Sequence, residues 1–241
     1  MTTIPLDTHL TIGGLIYPGM DQCDFTGPFE ALARVPNSQF LTIWKDKHPI
    51  RDVVGMHLLA DTTIAEAPQL DVLLVPGGYG QEALMQDEVV LSFIRKQAAG
   101  ARILFSVCTG ALLCGAAGLL QGKCAVTHWT AMELLPYFGA TPGDERVVVD
   151  GKLISTGGVT SGIDGSLVVV SLLRGKTVAE EIQLYMAYDP HPPFHSGSPA
   201  TAPASVLSVV TRQAKQITEQ RLATARAYQE AHQGEGVAAL G

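Results

Sequence analysis

The pattern that most constrains this sequence is an alternation of short apolar runs with segments of helical periodicity. Near-continuous aliphatic runs are typical of strands buried on both faces, and the helical segments between them supply the crossovers of a parallel sheet. The sequence therefore predicts an α/β fold in which helices sandwich a mostly parallel sheet. The predicted strands are 10–17, 39–44, 71–76, 101–107 and 146–150, and the predicted helices are 28–34, 87–99, 109–120, 130–138, 163–173, 178–188 and 204–232.

Local signals predict where several helices begin and end. Pro28 suits the first position of a helix with Thr26 as its cap, because proline there loses no intrahelical hydrogen bond. Gly100, Gly122 and Gly139 follow helical runs, where a left-handed backbone costs least for glycine. We therefore expect a helix to begin at Pro28 and others to end at these three glycines.

The composition is that of one domain. The 241 residues are 46% hydrophobic and 16% charged, which is enough apolar material for one large core. The segment 191–203, rich in Pro, Ser and Gly, interrupts the pattern, and no second globular pattern follows it. We expect an α/β domain over residues 1–203 and, over 204–241, a helical extension of that domain that packs on a partner or extends into solvent.

Charge and hydropathy argue against nucleic-acid and membrane proteins. With 16 basic and 23 acidic residues the net charge is −7, and the basic residues form no cluster that would bind a nucleic acid. The uncharged stretch 103–122 is long enough to span a bilayer, but it contains four glycines and divides into strand-like and helical halves. The N-terminus lacks the basic residues and apolar run of a secretory signal. The sequence predicts a cytoplasmic protein.

Cysteines and histidines show no metal-binding spacing. The seven histidines form no HxH or HExxH cluster, and for His128 a structural role is favoured. The glycine-rich turn 156–162 lacks the spacing and the lysine of a phosphate-binding loop. We expect free thiols, no metal and no cofactor, because no CxxC pair occurs among the four cysteines, which are Cys23, Cys108, Cys114 and Cys124.

A strand-to-helix junction carries the strongest chemical signal. Cys108 directly follows the strand-like run ARILFSV and precedes Thr109 and Gly110 at a helix start. Open α/β folds bind ligands at the carboxyl ends of their strands, and N–H groups at a helix start stabilise a thiolate. Gly110 would permit the close backbone approach of a sharp turn. Two interpretations of Cys108 stay open here, a nucleophile or a small buried side chain.

Two further strand ends are expected at the same edge of the sheet. Gly77 and Gly78 follow DVLLVP; their N–H groups would suit an oxyanion hole, although a glycine pair also forms ordinary turns. Asp24 follows the first strand, either as a helix cap or as a carboxyl facing the Cys108 sulfur. In the second case Asp24 would tend to hold a proton, because two adjacent anions repel. We interpret Asp21 as a surface residue.

Together these motifs resemble the DJ-1/PfpI superfamily, and within it the isonitrile hydratases. The resemblance covers roughly residues 10–200 and rests on several distinct motifs in one order. It implies a flavodoxin-like sandwich, a homodimer and a cysteine on a nucleophile elbow. The motifs are LIYPGMDQCDFTGP, LLVPGGYG, SVCTGALLCGAAGLL, THW, STGGVTSGID and PHPPFHSGSP.

The resemblance also implies a role for each candidate site residue. Cys108 would be the nucleophile and Asp24 the acid–base group, with Thr109 contacting the reacting group. Gly78, with Gly77 beside it, would be the backbone donor. The implied reaction adds water to an isonitrile through a cysteine thioimidate and releases an N-substituted formamide, without metal, flavin or nucleotide.

Differences from other branches of the superfamily reduce the number of activities that the resemblance implies for this sequence. Thr109 stands where PfpI-type peptidases have histidine, and neither His128 nor His191 begins the His-x-Glu pair of class I amidotransferases. Asp24 stands where the DJ-1-like branch has glutamate. About 40 residues follow the PPF segment, too few for the paired helix-turn-helix unit of AraC-type regulators. Two alternatives stay open: a DJ-1-like glyoxalase or deglycase, and a redox-sensing or regulatory module.

Overall fold

A seven-stranded sheet forms the centre of the protein, which we describe from a computed structural model over residues 3–232. The strands are β1 (Leu10–Leu15), β2 (Ser38–Trp44), β3 (Ile50–Arg51), β4 (His57–Leu58), β5 (Thr62–Thr63), β6 (Val72–Val75), β7 (Ile103–Val107), β8 (Cys124–Ala125), β9 (Thr141–Pro142), β10 (Val147–Asp150) and β11 (Leu153–Thr156). The sheet order is β10-β11-β7-β6-β1-β2-β5, while β3–β4 and β8–β9 form two small separate pairs. Within the large sheet only the β10–β11 pair is antiparallel.

Helices pack in two groups around this sheet. They are α1 (Cys23–Leu32), α2 (Gln81–Leu84), α3 (Glu88–Gly100), α4 (Gly110–Ala116), a 3₁₀ helix (Trp129–Phe138), α5 (Ser161–Arg174), α6 (Lys176–Tyr185) and α7 (Ala204–His232). Helix α5 packs against both α1 and α6, and the second group consists of α2, α3, α4, α7 and the 3₁₀ helix. Strand β7 contacts α4 from one group and α5 from the other. The predicted sandwich of helices around a mostly parallel sheet is confirmed.

The expectation that the first helix begins at Pro28 is wrong. Helix α1 begins at Cys23 and contains Pro28 in its interior. The first turn forms earlier because the Thr26 N–H donates to the Gln22 carbonyl at 2.7 Å. Pro28 is tolerated despite its missing donor because its ring packs against Gly162 of α5, where a Cβ would lie 2.9 Å from the ring. This register places Asp24 in the first turn of α1.

Other differences concern local geometry. The segment predicted as a helix over 130–138 is a 3₁₀ helix with Pro136 inside it. Strand β11 was not predicted, and it forms a tight hairpin with β10. Gly122 and Gly139 adopt the expected left-handed backbone at φ +67° and +74°. Gly100 instead remains the last residue of α3, and the chain turns at Ala101, which is extended.

The strand order places a crevice at the carboxyl ends of β1 and β6. Strand β1 pairs with β2 on one side and with β6 on the other, so the connections leaving β1 and β6 diverge. Open α/β sheets bind ligands where the strand order reverses in this way. Asp24, Gly77 and Cys108, which follow β1, β6 and β7, are therefore brought to one edge.

Helix α7 contacts the 3₁₀ helix and α2. Most of its side chains are exposed or half-buried, and Arg221, Thr224 and Ala225 are the buried ones. The assignment of 204–241 to the same domain stays a prediction, and its residues 233–241 lie outside the described part. No helix within residues 3–232 is long and apolar enough to cross a membrane. The cytoplasmic location stays a prediction.

Candidate active site

Cys108 occupies a strained turn between β7 and α4. Its φ is +56°, a left-handed conformation that is uncommon outside glycine. The Cys108 N–H donates to the Thr156 carbonyl at 3.0 Å, and its carbonyl accepts from Thr127 Oγ1 at 2.8 Å. A Cβ at Gly110 would lie 2.0 Å from the Val75 carbonyl oxygen, so only glycine fits there. These contacts hold the Cys108 side chain at the carboxyl edge of the sheet.

Asp24 faces this cysteine from the first turn of α1. It is 0% exposed, and its Oδ2 accepts a hydrogen bond from the Gly77 N–H at 3.0 Å. Its second oxygen, Oδ1, is buried and has no hydrogen-bond partner among the described residues. Burial is the main cause that raises the pKa of Asp24 from 3.8 to about 7, Asp21 adds to it, and the Cys108 side chain and the Gly77 N–H oppose it. Asp24 is thus a buried, readily protonated carboxyl and not a helix cap.

The thiol of Cys108 is also buried, with 6% of the residue exposed. Burial first, and then the Asp24 carboxyl, raise the pKa of this thiol well above its ordinary value. The N–H of Thr109 lowers that pKa, as expected at a helix start, and so does Arg221, but burial outweighs both. Cys108 and Asp24 therefore titrate as a coupled pair and do not form an isolated thiolate beside a neutral acid.

The glycine loop after β6 packs closely against Asp24 and Thr109. The Gly78 N–H donates to Thr109 Oγ1 at 3.2 Å, so this N–H and that of Gly77 are both directed at site side chains. A Cβ at Gly77 would lie 2.6 Å from Thr109 N and 2.9 Å from Asp24 Oδ2. Gly78 has φ +122°, and a Cβ there would lie 2.2 Å from Asp21 N. The loop thus requires glycine at both positions.

Arg221 completes the site and was not predicted. It is 3% exposed and extends from α7 to the glycine loop. Its Nη2 donates to the Gly78 carbonyl at 2.7 Å and to Thr109 Oγ1 at 3.3 Å, and its Nε donates to Gln81 Oε1 at 3.0 Å. The sequence of α7 reads as a polar helix, and the one available signal is that Leu-Ala-Thr-Ala, an uncharged run, follows this arginine.

A cavity of about 330 Å³ opens beside Cys108, Thr109 and Gly78. Asp21, which the sequence led us to interpret as a surface residue, is half-buried and also lines this cavity; its Oδ1 accepts from the Cys23 N–H at 3.0 Å. The remaining walls are largely apolar, which suits a small uncharged ligand. The apolar lining side chains are Val53, Val54, Val159, Val210, Ala214 and Ile217.

His128 lines the same cavity but is not placed to exchange protons near neutral pH. Burial, together with the charge of Arg221, lowers the pKa of this histidine to about 4. Its Nδ1 accepts from the Thr130 N–H at 3.4 Å. The ring is therefore neutral under ordinary conditions, which agrees with a structural role. Over residues 3–232, no three His, Cys, Asp or Glu side chains are grouped to hold a metal ion.

Comparison with known proteins identifies the family. The model of the DJ-1/PfpI family matches residues 12–172. The chain belongs to the DJ-1/PfpI family. This DJ-1/PfpI protein is 49% identical to the isonitrile hydratase of Pseudomonas putida over 205 residues, which cover 85% of this chain and 90% of that relative. The family resemblance expected from the sequence is confirmed.

Solved structures agree with this membership. A THiJ/PfpI family protein from Pseudomonas syringae is 37% identical with a TM-score of 0.89, covering 92% of this chain and 93% of that chain. DJ-1beta of Drosophila melanogaster, at 20% identity, shares the fold with a TM-score of 0.70 over 76% of this chain and 100% of its own. The fold of this chain is therefore that of solved members of the family.

Proposed function

We propose that this protein adds water to isonitriles and releases N-substituted formamides. The observation that carries the proposal is the buried Cys108–Asp24 pair facing a small apolar cavity. Adding a thiol across the terminal carbon of an isonitrile requires a nucleophilic sulfur and a proton delivered to that same carbon. A pair that retains one proton near neutral pH supplies both. The identity of 49% to the isonitrile hydratase of Pseudomonas putida supports this assignment.

In the first step the Cys108 sulfur attacks the terminal carbon of R–N≡C. A C–S bond forms, the proton held by the pair passes through Asp24 to the same carbon, and the product is the thioimidate R–N=CH–S–Cys108. Asp24 is left as a carboxylate. Its unpartnered Oδ1 is the oxygen available for this transfer, because Oδ2 is fixed by the Gly77 N–H.

In the second step water attacks the thioimidate carbon. The Asp24 carboxylate takes the proton from the attacking water and passes it to the nitrogen, so that the tetrahedral adduct R–NH–CH(OH)–S–Cys108 forms and Asp24 is again a carboxylate. Cleavage of the C–S bond forms the formamide carbonyl, and the hydroxyl proton returns to the Cys108–Asp24 pair. The sum is one isonitrile and one water converted to one formamide, with the enzyme unchanged.

Within this mechanism the glycine loop orients side chains. Gly77 holds Oδ2 of Asp24, and Gly78 holds the hydroxyl of Thr109. Thr109 lines the cavity beside Cys108, where its hydroxyl and N–H can contact a substrate bound to the sulfur. We propose these roles in place of a direct donation from both glycine N–H groups to the reacting atom.

The pair also predicts the pH dependence of the reaction. Below the pKa of about 7 at Asp24, the pair holds two protons and the sulfur is not activated. At high pH it loses its last proton and cannot protonate carbon. We expect kcat/KM to rise with pH through about 7 and to fall again in alkaline solution.

Formamide production from butyl and benzyl isonitrile by the purified protein tests the function. Cys108→Ala should abolish it, whereas Cys124→Ala, which removes a half-buried thiol of β8, should retain it. Turnover by Cys108→Ala would rule out Cys108 as the nucleophile. A parallel assay with methylglyoxal tests the glyoxalase alternative, and reversible oxidation of Cys108 by peroxide without turnover of either substrate would favour a sensing module.

We propose further that two copies of the chain form a dimer. The amino-terminal half of α7 exposes Val206 and Val209, which are 45% and 47% accessible. An exposed apolar stripe of this kind is typical of a surface covered in an oligomer. Sedimentation equilibrium should show twice the chain mass for the wild type, and the double variant V206D/V209D should sediment as a monomer. A monomeric wild type would contradict the proposal.

A further inference from the structure

We propose that Arg221 is a positioning residue for the hydration of isonitriles, because its buried guanidinium binds the Gly78 carbonyl and the Thr109 hydroxyl beside Cys108. The inference rests on the function proposed above. It assigns part of the active site to α7, which lies beyond the residues 12–172 matched by the family model.

The guanidinium joins three elements that meet at the site. Gly78 belongs to the loop after β6, Thr109 begins the turn into α4, and Gln81 is the first residue of α2. Arg221 donates to all three. Its planar fork fixes the directions of these donors, which the flexible ammonium of a lysine does not. The Thr109 hydroxyl is thereby held between Arg221 and the Gly78 N–H.

Contacts one and two turns further along α7 hold the helix in register for this interaction. Thr224 Oγ1 donates to Glu82 Oε1 at 2.6 Å and accepts from Gln86 Nε2 at 3.4 Å. The Tyr228 ring lies 4.9 Å from that of Phe138. Arg221 therefore reaches the site from a helix that is held against α2 and the 3₁₀ helix, and burial restricts its rotamer.

A purely structural role would be to fasten α7 to the body of the protein. Two observations favour positioning. The Nη2 contacts fall on Gly78 and Thr109, which themselves line the catalytic cavity, and the cation also acts on the neighbouring acids by lowering the pKa of Cys108 and of Asp24. The other ionisable groups that act electrostatically on Arg221, Cys108 or Asp24 are Tyr17, Asp21, Cys23, Tyr79, Glu82 and His128.

Steady-state kinetics on butyl isonitrile test the inference. We expect Arg221→Met to lower kcat about tenfold to a hundredfold while KM changes less than about threefold, because a charge-assisted contact is lost within the site rather than from the substrate. The rise of kcat/KM with pH should move upward by about one pH unit, since an adjacent cation has been removed. The matched control Arg212→Met, on an exposed turn of α7, should behave as the wild type.

Arg221→Lys separates charge from geometry. It should keep the pH at which kcat/KM rises, because the charge remains, but it should recover only part of kcat, because the fork is lost. If Arg221→Met does not fold, Gln81→Met provides a second variant: it removes the acceptor of Arg221 Nε and should lower kcat in the same direction. Circular dichroism establishes that each variant is folded.

Three results would overturn the inference: unchanged kcat in folded Arg221→Met, a higher KM with kcat retained, or a lower melting temperature as the only effect. The pH dependence of Cys108 alkylation by iodoacetamide, measured by peptide mass, separates this inference from the proposed function. It should shift to higher pH in Arg221→Met even if the wild type hydrates no isonitrile. If the pH dependence of alkylation does not shift, Arg221 is not a positioning residue of this site. If the wild type does not turn over isonitriles, the proposed function is wrong.

Discussion

Replacing Asp24 by asparagine should change the free energy of unfolding in a way that depends on pH. Relative to the wild type, the variant should be more stable in alkaline than in acid solution. The carboxyl is fully buried, and its pKa is raised from 3.8 to about 7. A group with a higher pKa in the folded than in the unfolded chain favours folding below its unfolded pKa, and this contribution is lost as the pH rises through the folded pKa. At about 1.36 kcal/mol per pH unit, ionisation of Asp24 above pH 7 costs the folded protein about 4 kcal/mol.

The asparagine side chain of this variant would have no charge to bury, so this cost would vanish. The amide oxygen can still accept from the Gly77 N–H, but the amide NH₂ would occupy the position of Oδ1, where no partner lies among the described residues. That buried donor costs about 1–3 kcal/mol at every pH. The prediction therefore concerns how the difference in free energy of unfolding changes with pH and not its value at any one pH.

Urea unfolding followed by circular dichroism measures this difference. Between pH 5 and pH 8, the free energy of unfolding of Asp24→Asn minus that of the wild type should increase by about 3 kcal/mol. Asp144→Asn removes a carboxylate from an exposed position and serves as the control. A difference for Asp24→Asn that stays constant over this range would show that Asp24 is not a buried acid of raised pKa.

Three other substitutions test separate parts of the structure. Gly77→Ala should lower kcat at least about tenfold while the protein remains folded by circular dichroism, because its methyl group would approach Thr109 N to 2.6 Å; wild-type kcat would contradict the close packing of the loop. Arg174→Met should lower the free energy of unfolding in urea by about 3 kcal/mol with kcat unchanged, since it removes buried donors to the carbonyls of Thr8 and Pro36 at 2.7 and 2.9 Å. Ala214→Phe should raise KM for benzyl isonitrile more than for butyl isonitrile, because the ring fills part of the cavity; equal KM changes would place the substrate elsewhere.

The arrangement of the site was predictable where it follows from strand topology. The apolar runs of β6 and β7 mark strands buried on both faces, and parallel pairing then brings their carboxyl ends together. Gly77 and Cys108 were expected at one edge for that reason. Asp24 was expected near them because it follows β1, the strand beside β6. None of these inferences needed a side-chain position.

Features that depend on packing were not predictable in the same way. The start of α1 was misplaced because Pro28 and Thr26 form a strong local signal, which the packing of Pro28 on Gly162 overrides. Arg221 was missed because α7 reads as a polar helix, and a single buried arginine changes neither its periodicity nor its charge pattern. Only the docking of α7 against α2 shows where that guanidinium lies.

The electrostatic balance of the pair illustrates why burial has to be known before reactivity can be argued. A helix start alone lowers a thiol pKa and would produce a thiolate with no proton beside it. In this protein, burial raises the pKa of both Cys108 and Asp24, and the pair keeps a proton that a carbon acceptor can receive. The charge of Arg221 limits the rise of the pKa at both groups. Burial of Asp24, which reduces the stability of the folded protein above pH 7, is thus the same feature that lets a sulfur nucleophile and its proton donor coexist.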